Sequence, residues 1–180
     1  VDKSYYEFDN CRGVFIMPFG FTGKFIRINL SKNSYQIEEK DEEYYRKYLG
    51  GRNIAADIML KEIPEDVEPF DPENKLIVTT SIITGTPIPG SSRFTVAAKS
   101  PLTEGFGESQ AGGWWGPELK FAGYDGLIIE GIAEKPVYIY INNDTIEIKD
   151  ATTLWGKETG EVQELIRKEI EDERVRVLQC

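Results

Sequence analysis

The stretch RFTVAAKSPLTEGFGESQAGGWWGPELKFAGYD, residues 93–125, decides both the fold of this chain and what it binds. It holds six of the 17 glycines and two of the three tryptophans. Glycine lets backbone approach a ligand closely, and aromatic rings can wall off a flat one. The pattern predicts a strand over 93–98, a loop over 100–111, and a short helix with Pro117 in its first turn. The segment therefore predicts a binding loop between a strand and a helix.

The residues before this segment predict a hairpin, two helices and a buried strand. KFIRINL and SYQIEE alternate as paired strands do, with the turn at 31–34. Asp41 suits the N-cap of a helix that Gly50 and Gly51 end. A second helix is expected over 52–63 and a strand over 75–81.

Strands dominate the residues after the segment. GLIIEG, VYIYIN and TIEIKD each have strand composition, and the last two form a hairpin through residues 142–144. An amphipathic helix is expected over 155–170, after which VRVLQ begins a further strand. Because hairpins outnumber β-α-β units, the sequence predicts an α+β fold of mainly antiparallel sheets with a few short helices.

The composition excludes several classes of function. Asp and Glu number 31 against 21 Lys and Arg, and a net charge of −10 argues against nucleic acid as a partner. No apolar run is long enough to predict a membrane span, and no signal-peptide pattern is present. Two cysteines cannot make a disulfide framework, so we expect a cytoplasmic protein. Many Glu, Lys and Ile residues favour a thermophilic source.

The chain contains no histidine, so it lacks the commonest general base and metal ligand. No nucleophile–base pair can be assembled from the sequence, and we expect no catalytic residue in this chain. A metal here would need oxygen ligands, ligands that it brings with it, or ligands from another polypeptide.

The glycine clusters are more informative. Gly51 and Arg52 follow one helix, Gly112 and Gly113 precede another, and Arg93 lies between them in sequence. Alone, each cluster is explained by a turn or a helix cap. Together with Trp114 and Trp115 they predict a site for a bulky, planar anion. A phosphate-bearing pterin and a nucleotide both fit this description.

Six strings in order resemble the N-terminal domain of tungsten-containing aldehyde:ferredoxin oxidoreductases. They are GKFIRINLS, YLGGRN, PENKLIVTT, ITGTPIPGSSRFTVAAKSPLTEGF, AGGWWGPELKFAGYDGLIIEG and AEKPVYIYI. The resemblance covers about residues 19–177. It implies a two-sheet base carrying tungsten, or molybdenum, on two pterins. It also implies magnesium between the pterin phosphates, a [4Fe-4S] cluster held by residues outside this chain, and aldehyde oxidation with ferredoxin as electron acceptor.

The resemblance also implies roles for individual residues. Arg93 matches the arginine that bridges pterin and iron–sulfur cluster. Gln110 stands where the family has an asparagine whose backbone carbonyl binds the magnesium. Ala111, Gly112 and Gly113 match the turn that presents backbone to a pterin phosphate, and Trp114 stands where an aromatic is usual. Gly51 and Arg52 are also implied to bind the cofactor, from a helix-joining loop that resembles the family's. Asn53, in the loop of Gly51 and Arg52, replaces a common glycine.

The expected domains are an extension at residues 1–17 and the bis-pterin-binding domain at 18–180, incomplete at its C-terminal end. The expected partners are ferredoxin, the remaining domains of a full-length enzyme, and a second copy of the chain in a homo-oligomer. Alone, the chain should be inactive. Two alternatives stay open: a truncated remnant that keeps the fold as a binding module, and an unrelated nucleotide-binding α+β enzyme.

Overall fold

The computed structural model describes residues 20–179, together with the backbone of two short paired strands near the N-terminus. In chain order the elements are β1 (Phe8–Asp9), β2 (Val14–Phe15), β3 (Lys24–Asn29), β4 (Ser34–Glu39), α1 (Glu42–Tyr48), α2 (Arg52–Glu62), β5 (Lys75–Thr80), β6 (Phe94–Lys99), β7 (Phe106–Ala111), α3 (Trp115–Phe121), β8 (Gly126–Glu130), β9 (Val137–Asn142), β10 (Thr145–Asp150) and α4 (Thr159–Ile170). Apart from these two strands, the predicted extension at 1–17 lies outside the described residues.

A six-stranded sheet with the order β4-β3-β8-β5-β6-β7 forms the centre of the fold. All neighbours pair antiparallel except β3 and β8, which run parallel. Strands β9 and β10 form a separate antiparallel hairpin. The predicted α+β class with mainly antiparallel sheets is confirmed.

Each face of the sheet is buried by a different layer, because successive side chains of a strand point to opposite faces. Ile77 packs with Ile54 and Ile58 of α2, whereas its neighbour Val78 packs with Leu119 of α3. The sheet therefore lies between the α1–α2 pair and a layer built from α3 and the β9–β10 hairpin.

A smaller core joins α4 to the hairpin. Ile166 of α4 packs with Ala151 and Leu154, which follow β10. Val175 and Val177, beyond α4, pack against the same cluster. This unit carries the chain back towards α3.

The structure corrects three sequence-based assignments. Residues 106–111, predicted as loop, form β7, whose side chains are largely exposed. Its sequence FGESQA has no apolar alternation, so pairing with β6 alone defines the strand. Helix α4 begins at Thr159 rather than at 155, after a turn in which Gly156 has φ +80°. The VRVLQ stretch pairs with no strand among the described residues; its valines are used for packing instead.

Candidate functional site

The start of β6 and the end of β7 lie side by side, and this pairing gathers the predicted site residues. Phe94 pairs with Ala111, and Thr95 pairs with Gln110. Arg93, directly before β6, therefore lies beside Gly112, directly after β7. Residues 15 to 19 positions apart in sequence are thus brought to one end of the sheet.

The glycine pair before α2 reaches the same end of the sheet. Gly50 forms a β-bridge with Ser81, and a Cβ on Gly50 would lie 2.5 Å from the Cα of Ser81. Gly51 donates its N–H to the Thr80 carbonyl at 2.8 Å. A Cβ on Gly51 would lie 3.5 Å from Oγ1 of Thr95, the partner of Gln110. Only glycine allows α2 to start this close to the strands.

Arg52 is held by a carboxylate of the neighbouring strand. Its Nε donates to Glu108 of β7 at 2.7 Å, and a second guanidinium nitrogen donates to the other carboxylate oxygen. The hydrogen bond and charge of Glu108 raise the pKa of Arg52. Arg52 therefore lies at the predicted site, but its charge is already paired.

Gly112 and Gly113 form a close turn against the end of the 81–92 loop. The Gly113 N–H donates to Ser92 Oγ at 3.3 Å, and a Cβ on Gly112 would lie 3.4 Å from that oxygen. Gly113 has φ +94°, and no atom lies within 4 Å of where its Cβ would be. The turn therefore presents open backbone to the solvent.

The two tryptophans after this turn have different roles. Trp114 is 67% exposed. Trp115 packs against Phe94, with 5.1 Å between ring centroids. Only Trp114 is available to a ligand, so the prediction of an aromatic wall applies to that residue alone.

An open groove separates the 81–92 loop from the start of α3. Apolar side chains line much of it, and Ile88 and Phe121 remain exposed there. Its lining consists of Gly85, Thr86, Ile88, Gly90, Ser91, Ser92, Gly113, Trp114, Pro117 and Phe121.

A buried ion pair that was not predicted from the sequence lies beneath this groove and joins α3 to the start of the 81–92 loop. Lys120 of α3 is 0% exposed, and its Nζ lies 3.0 Å from Oδ1 of Asp125. The same ammonium donates to the carbonyl of Ser81, where the 81–92 loop begins, at 3.1 Å, and to the carbonyl of Gly20. One cation therefore ties α3 to the base of the opposite wall.

Asp125 collects further donors from distant parts of the chain. Its carboxylate accepts the N–H of Thr22 at 2.9 Å, the N–H of Gly23 at 2.7 Å and the Tyr45 hydroxyl at 2.6 Å. Burial lowers the pKa of Lys120, and attraction by Asp125 opposes this effect. The available signal was the ELKFAGYD string, in which Glu118, Lys120 and Asp125 stand among uncharged residues.

The described residues offer no ready-made metal centre. Within 20–179 there is no cysteine or histidine, and no group of three or more acidic side chains is placed to hold an ion. In the same part of the chain no helix is long and apolar enough to cross a membrane.

Comparison with known proteins identifies the relatives of this chain. The family model for "Aldehyde ferredoxin oxidoreductase, N-terminal domain" matches residues 25–180. The tungsten-containing aldehyde ferredoxin oxidoreductase of Pyrococcus furiosus is 48% identical over 88% of this chain and 26% of its own length. The enzyme of the same description from Thermococcus kodakarensis is 45% identical over the same shares. The chain thus spans about a quarter of the length of these relatives.

Two further relatives carry other descriptions. The aliphatic sulfonate oxidoreductase WOR-like subunit of P. furiosus is 38% identical over 86% of this chain and 25% of its own length. Among solved structures, the active site complex BamBC of benzoyl coenzyme A reductase with 1,5-dienoyl-CoA contains a chain 42% identical to this one. That match has a TM-score of 0.85 and covers 87% of this chain and 24% of the other.

Proposed function

Because this chain belongs to the aldehyde ferredoxin oxidoreductase N-terminal domain family, we propose that it is the cofactor-binding base of an enzyme that oxidises aldehydes to carboxylic acids with ferredoxin as electron acceptor. The observation that carries the proposal is the convergence of Gly51, Arg93, Gln110 and the open turn at Gly112 and Gly113. Three separate segments meet there, although none of them forms a site alone.

The described residues fit a metal that brings its own ligands. They contain no thiol or imidazole, so residues 20–179 offer no usual tungsten ligand, whereas pterin dithiolenes supply sulfur. Gly113 leaves open space, Trp114 is 67% exposed, and Arg93 donates no hydrogen bond within residues 20–179. An open backbone turn, a ring and an unpaired cation suit a planar ligand that carries phosphate.

In this proposal each residue has a positioning role. The backbone of Ala111, Gly112 and Gly113 would hold a pterin phosphate, Trp114 would contact the pterin, and the Gln110 carbonyl would bind the magnesium. Arg93 would bridge pterin and [4Fe-4S] cluster, where a fixed cation stabilises negative cluster charge. Gly51 and Arg52 complete the rim from the α2 side, with the Arg52 charge neutralised by Glu108.

The chemistry itself belongs to the cofactors. When bound, the tungsten centre would supply the two-electron couple by which aldehyde and water give carboxylic acid, two protons and two electrons, and the cluster would supply a route for those electrons to ferredoxin. In this proposal the described residues of the chain bind and orient the cofactors, and none of these residues transfers a proton.

The proposal that the substrate is an aldehyde rests on the relatives with the highest sequence identity to this chain. Relatives described as aldehyde oxidoreductases are up to 48% identical, against 38% and 42% for those described as acting on sulfonate and benzoyl-CoA. Since these proteins share the domain, we infer that other domains select the substrate. Those domains and ferredoxin are the proposed partners, and the cytoplasm is the proposed location.

Metal and pterin analysis tests the proposal. The protein is purified anaerobically from its source cells with the polypeptides that accompany it, and tungsten, molybdenum, iron, magnesium and pterin are measured. We expect tungsten with pterin in the bis-pterin ratio, and roughly tenfold lower pterin retention in Arg93→Gln. Arg46→Gln, which removes an exposed and paired arginine of α1, should retain pterin like the wild type. A wild-type protein without tungsten, molybdenum or pterin would overturn the proposal.

A further inference from the structure

The segment after α4 crosses back to α3 on a fixed path. Arg167 of α4 donates its Nε–H to the carbonyl of Val175 at 3.3 Å. Val175 and Val177 pack into the cluster of Ala151, Leu154 and Ile166. The residue between these two valines is therefore held in place from both sides.

That residue, Arg176, lies over the ring of Trp114, the exposed tryptophan of the groove. The guanidinium carbon of Arg176 lies 5.6 Å from the centroid of the Trp114 ring. The side chain is half-buried, and its Nε is enclosed without a hydrogen-bond acceptor among the described residues. A buried N–H group without an acceptor costs free energy, which a hydrogen bond to a bound anion would offset.

The pairing of arginines across residues 20–179 separates Arg176 and Arg93 from the others. Neither donates a hydrogen bond to another residue in this range, whereas each other arginine donates to a carboxylate or a carbonyl. The paired arginines are Arg27, Arg46, Arg52, Arg167 and Arg174. The two unpaired guanidinium groups adjoin the same short stretch, since Arg93 lies beside Gly112 and Arg176 lies on Trp114.

We propose that Arg176 and the ring of Trp114 form a second anion subsite of the groove, which takes a phosphate of the pterin cofactor. The inference rests on the proposed function and adds to it a residue from a segment that the sequence analysis assigned to a strand. A guanidinium fork matches two phosphate oxygens, and the cation–π contact with the ring helps to hold the guanidinium at this position. The chain as a whole carries a net charge of −10, which repels a phosphate. The local positive charge of an unpaired arginine would attract a phosphate to this end of the sheet.

Three variants test the subsite. Arg176→Gln removes the charge and the fork, and Arg176→Lys keeps the charge and the apolar stem but loses the fork. The matched control is Arg174→Gln, two residues away, because Arg174 is 88% exposed and pairs with Asp172. Each variant is purified as the wild type is, and bound pterin is followed by fluorescence through repeated gel filtration in phosphate buffer.

We expect Arg176→Gln to lose pterin roughly tenfold faster than the wild type, which corresponds to one charge-assisted hydrogen bond. Arg176→Lys should be intermediate, and Arg174→Gln should match the wild type. The ³¹P resonance of the bound cofactor should shift in both Arg176 variants and not in the control.

The remaining outcomes distinguish a failure of the proposed subsite from a failure of the proposed function. If the wild type and Arg176→Gln retain pterin equally while Arg93→Gln loses it, the subsite is overturned and the proposed function stands. If the wild type holds no pterin, both fail. If Arg176→Gln does not fold, Arg176→Lys decides, and unchanged retention and ³¹P shift in that variant overturn the subsite.

Discussion

Replacing Asp125 by asparagine should sharply destabilise the domain and loosen the groove. Asp125 is 1% exposed and accepts hydrogen bonds from Thr22, Gly23 and Tyr45 besides its ion pair with Lys120. Asparagine has nearly the same shape but no charge, and its amide places a donor where the wild type has an acceptor. The substitution leaves the Lys120 ammonium buried without a counter-charge.

The expected cost follows from this geometry. Removing one partner of a buried ion pair costs about 3–5 kcal/mol of unfolding free energy. In a chain of this length each kcal/mol lowers the melting temperature by about 2–4 °C, so the drop should be about 6–20 °C.

The effect of pH has a defined sign. Burial already lowers the pKa of Lys120, and loss of the Asp125 charge should lower it further. Above that folded-state pKa the unfolded chain binds more protons, so stability rises with pH. The deficit of Asp125→Asn should therefore narrow as pH rises towards about 10, the ordinary lysine value.

Urea unfolding followed by circular dichroism measures the cost. Glu42→Gln is the control, because it breaks the exposed Arg46–Glu42 pair of α1 and should cost at most about 0.5 kcal/mol. Adding Lys120→Met to Asp125→Asn should cost less than the sum of the single changes, since it removes the stranded cation. If Asp125→Asn costs no more than Glu42→Gln, the ion pair does not anchor the groove.

Two smaller effects should also be measurable. Gly113→Ala should lower the free energy of unfolding in urea by about 1–2 kcal/mol, because a φ of +94° strains any residue with a Cβ. Gly160→Ala, in the open first turn of α4, should raise it by about 0.5–1 kcal/mol. Equal effects of the two substitutions would contradict this expectation. Glu130 behaves differently: burial alone would raise its pKa, but hydrogen bonds from Lys75 and Asn29 outweigh it and the pKa lies below the usual value. Its stabilisation is present above about pH 4.3 and is lost as pH falls through the folded-state pKa, so Glu130→Gln should flatten the acid limb of a stability–pH series. An unchanged acid limb would refute that role.

Local sequence rules predicted the elements whose ends carry their own signals. Asp41 caps α1 by accepting the N–H of Tyr44 at 2.9 Å, as its residue type suggested. The β9–β10 hairpin turns at Asn143, which has φ +50°. In both cases the determining contact lies within a few residues.

Local sequence rules could not predict the elements and contacts that depend on residues far apart in the chain. Strand β7 has no strand-like sequence and depends on β6 for its conformation. Lys120 and Asp125 are close in sequence, but their partners, Gly20, Thr22, Tyr45 and Ser81, come from three other segments.

Much of the candidate site was identified through family resemblance rather than through residue patterns. Gly51, Arg93 and Gly113 were each explicable as ordinary turn or surface residues, and only the sheet topology brings them together. Arg176 gave no signal, because its contact with Trp114 joins residues that are 62 positions apart. Their roles in cofactor binding remain predictions.

Anomalous diffraction at the tungsten edge, from crystals of the anaerobically purified protein, would show directly whether the cofactor binds at the proposed site. We expect a tungsten peak over the end of the sheet at which β6 begins and β7 ends. A pterin phosphate should lie within hydrogen-bond distance of the backbone at Gly112 and Gly113, and a pterin should lie beside the Arg93 guanidinium. A tungsten peak and pterin on another face, with the turn at Gly113 left in solvent, would contradict it.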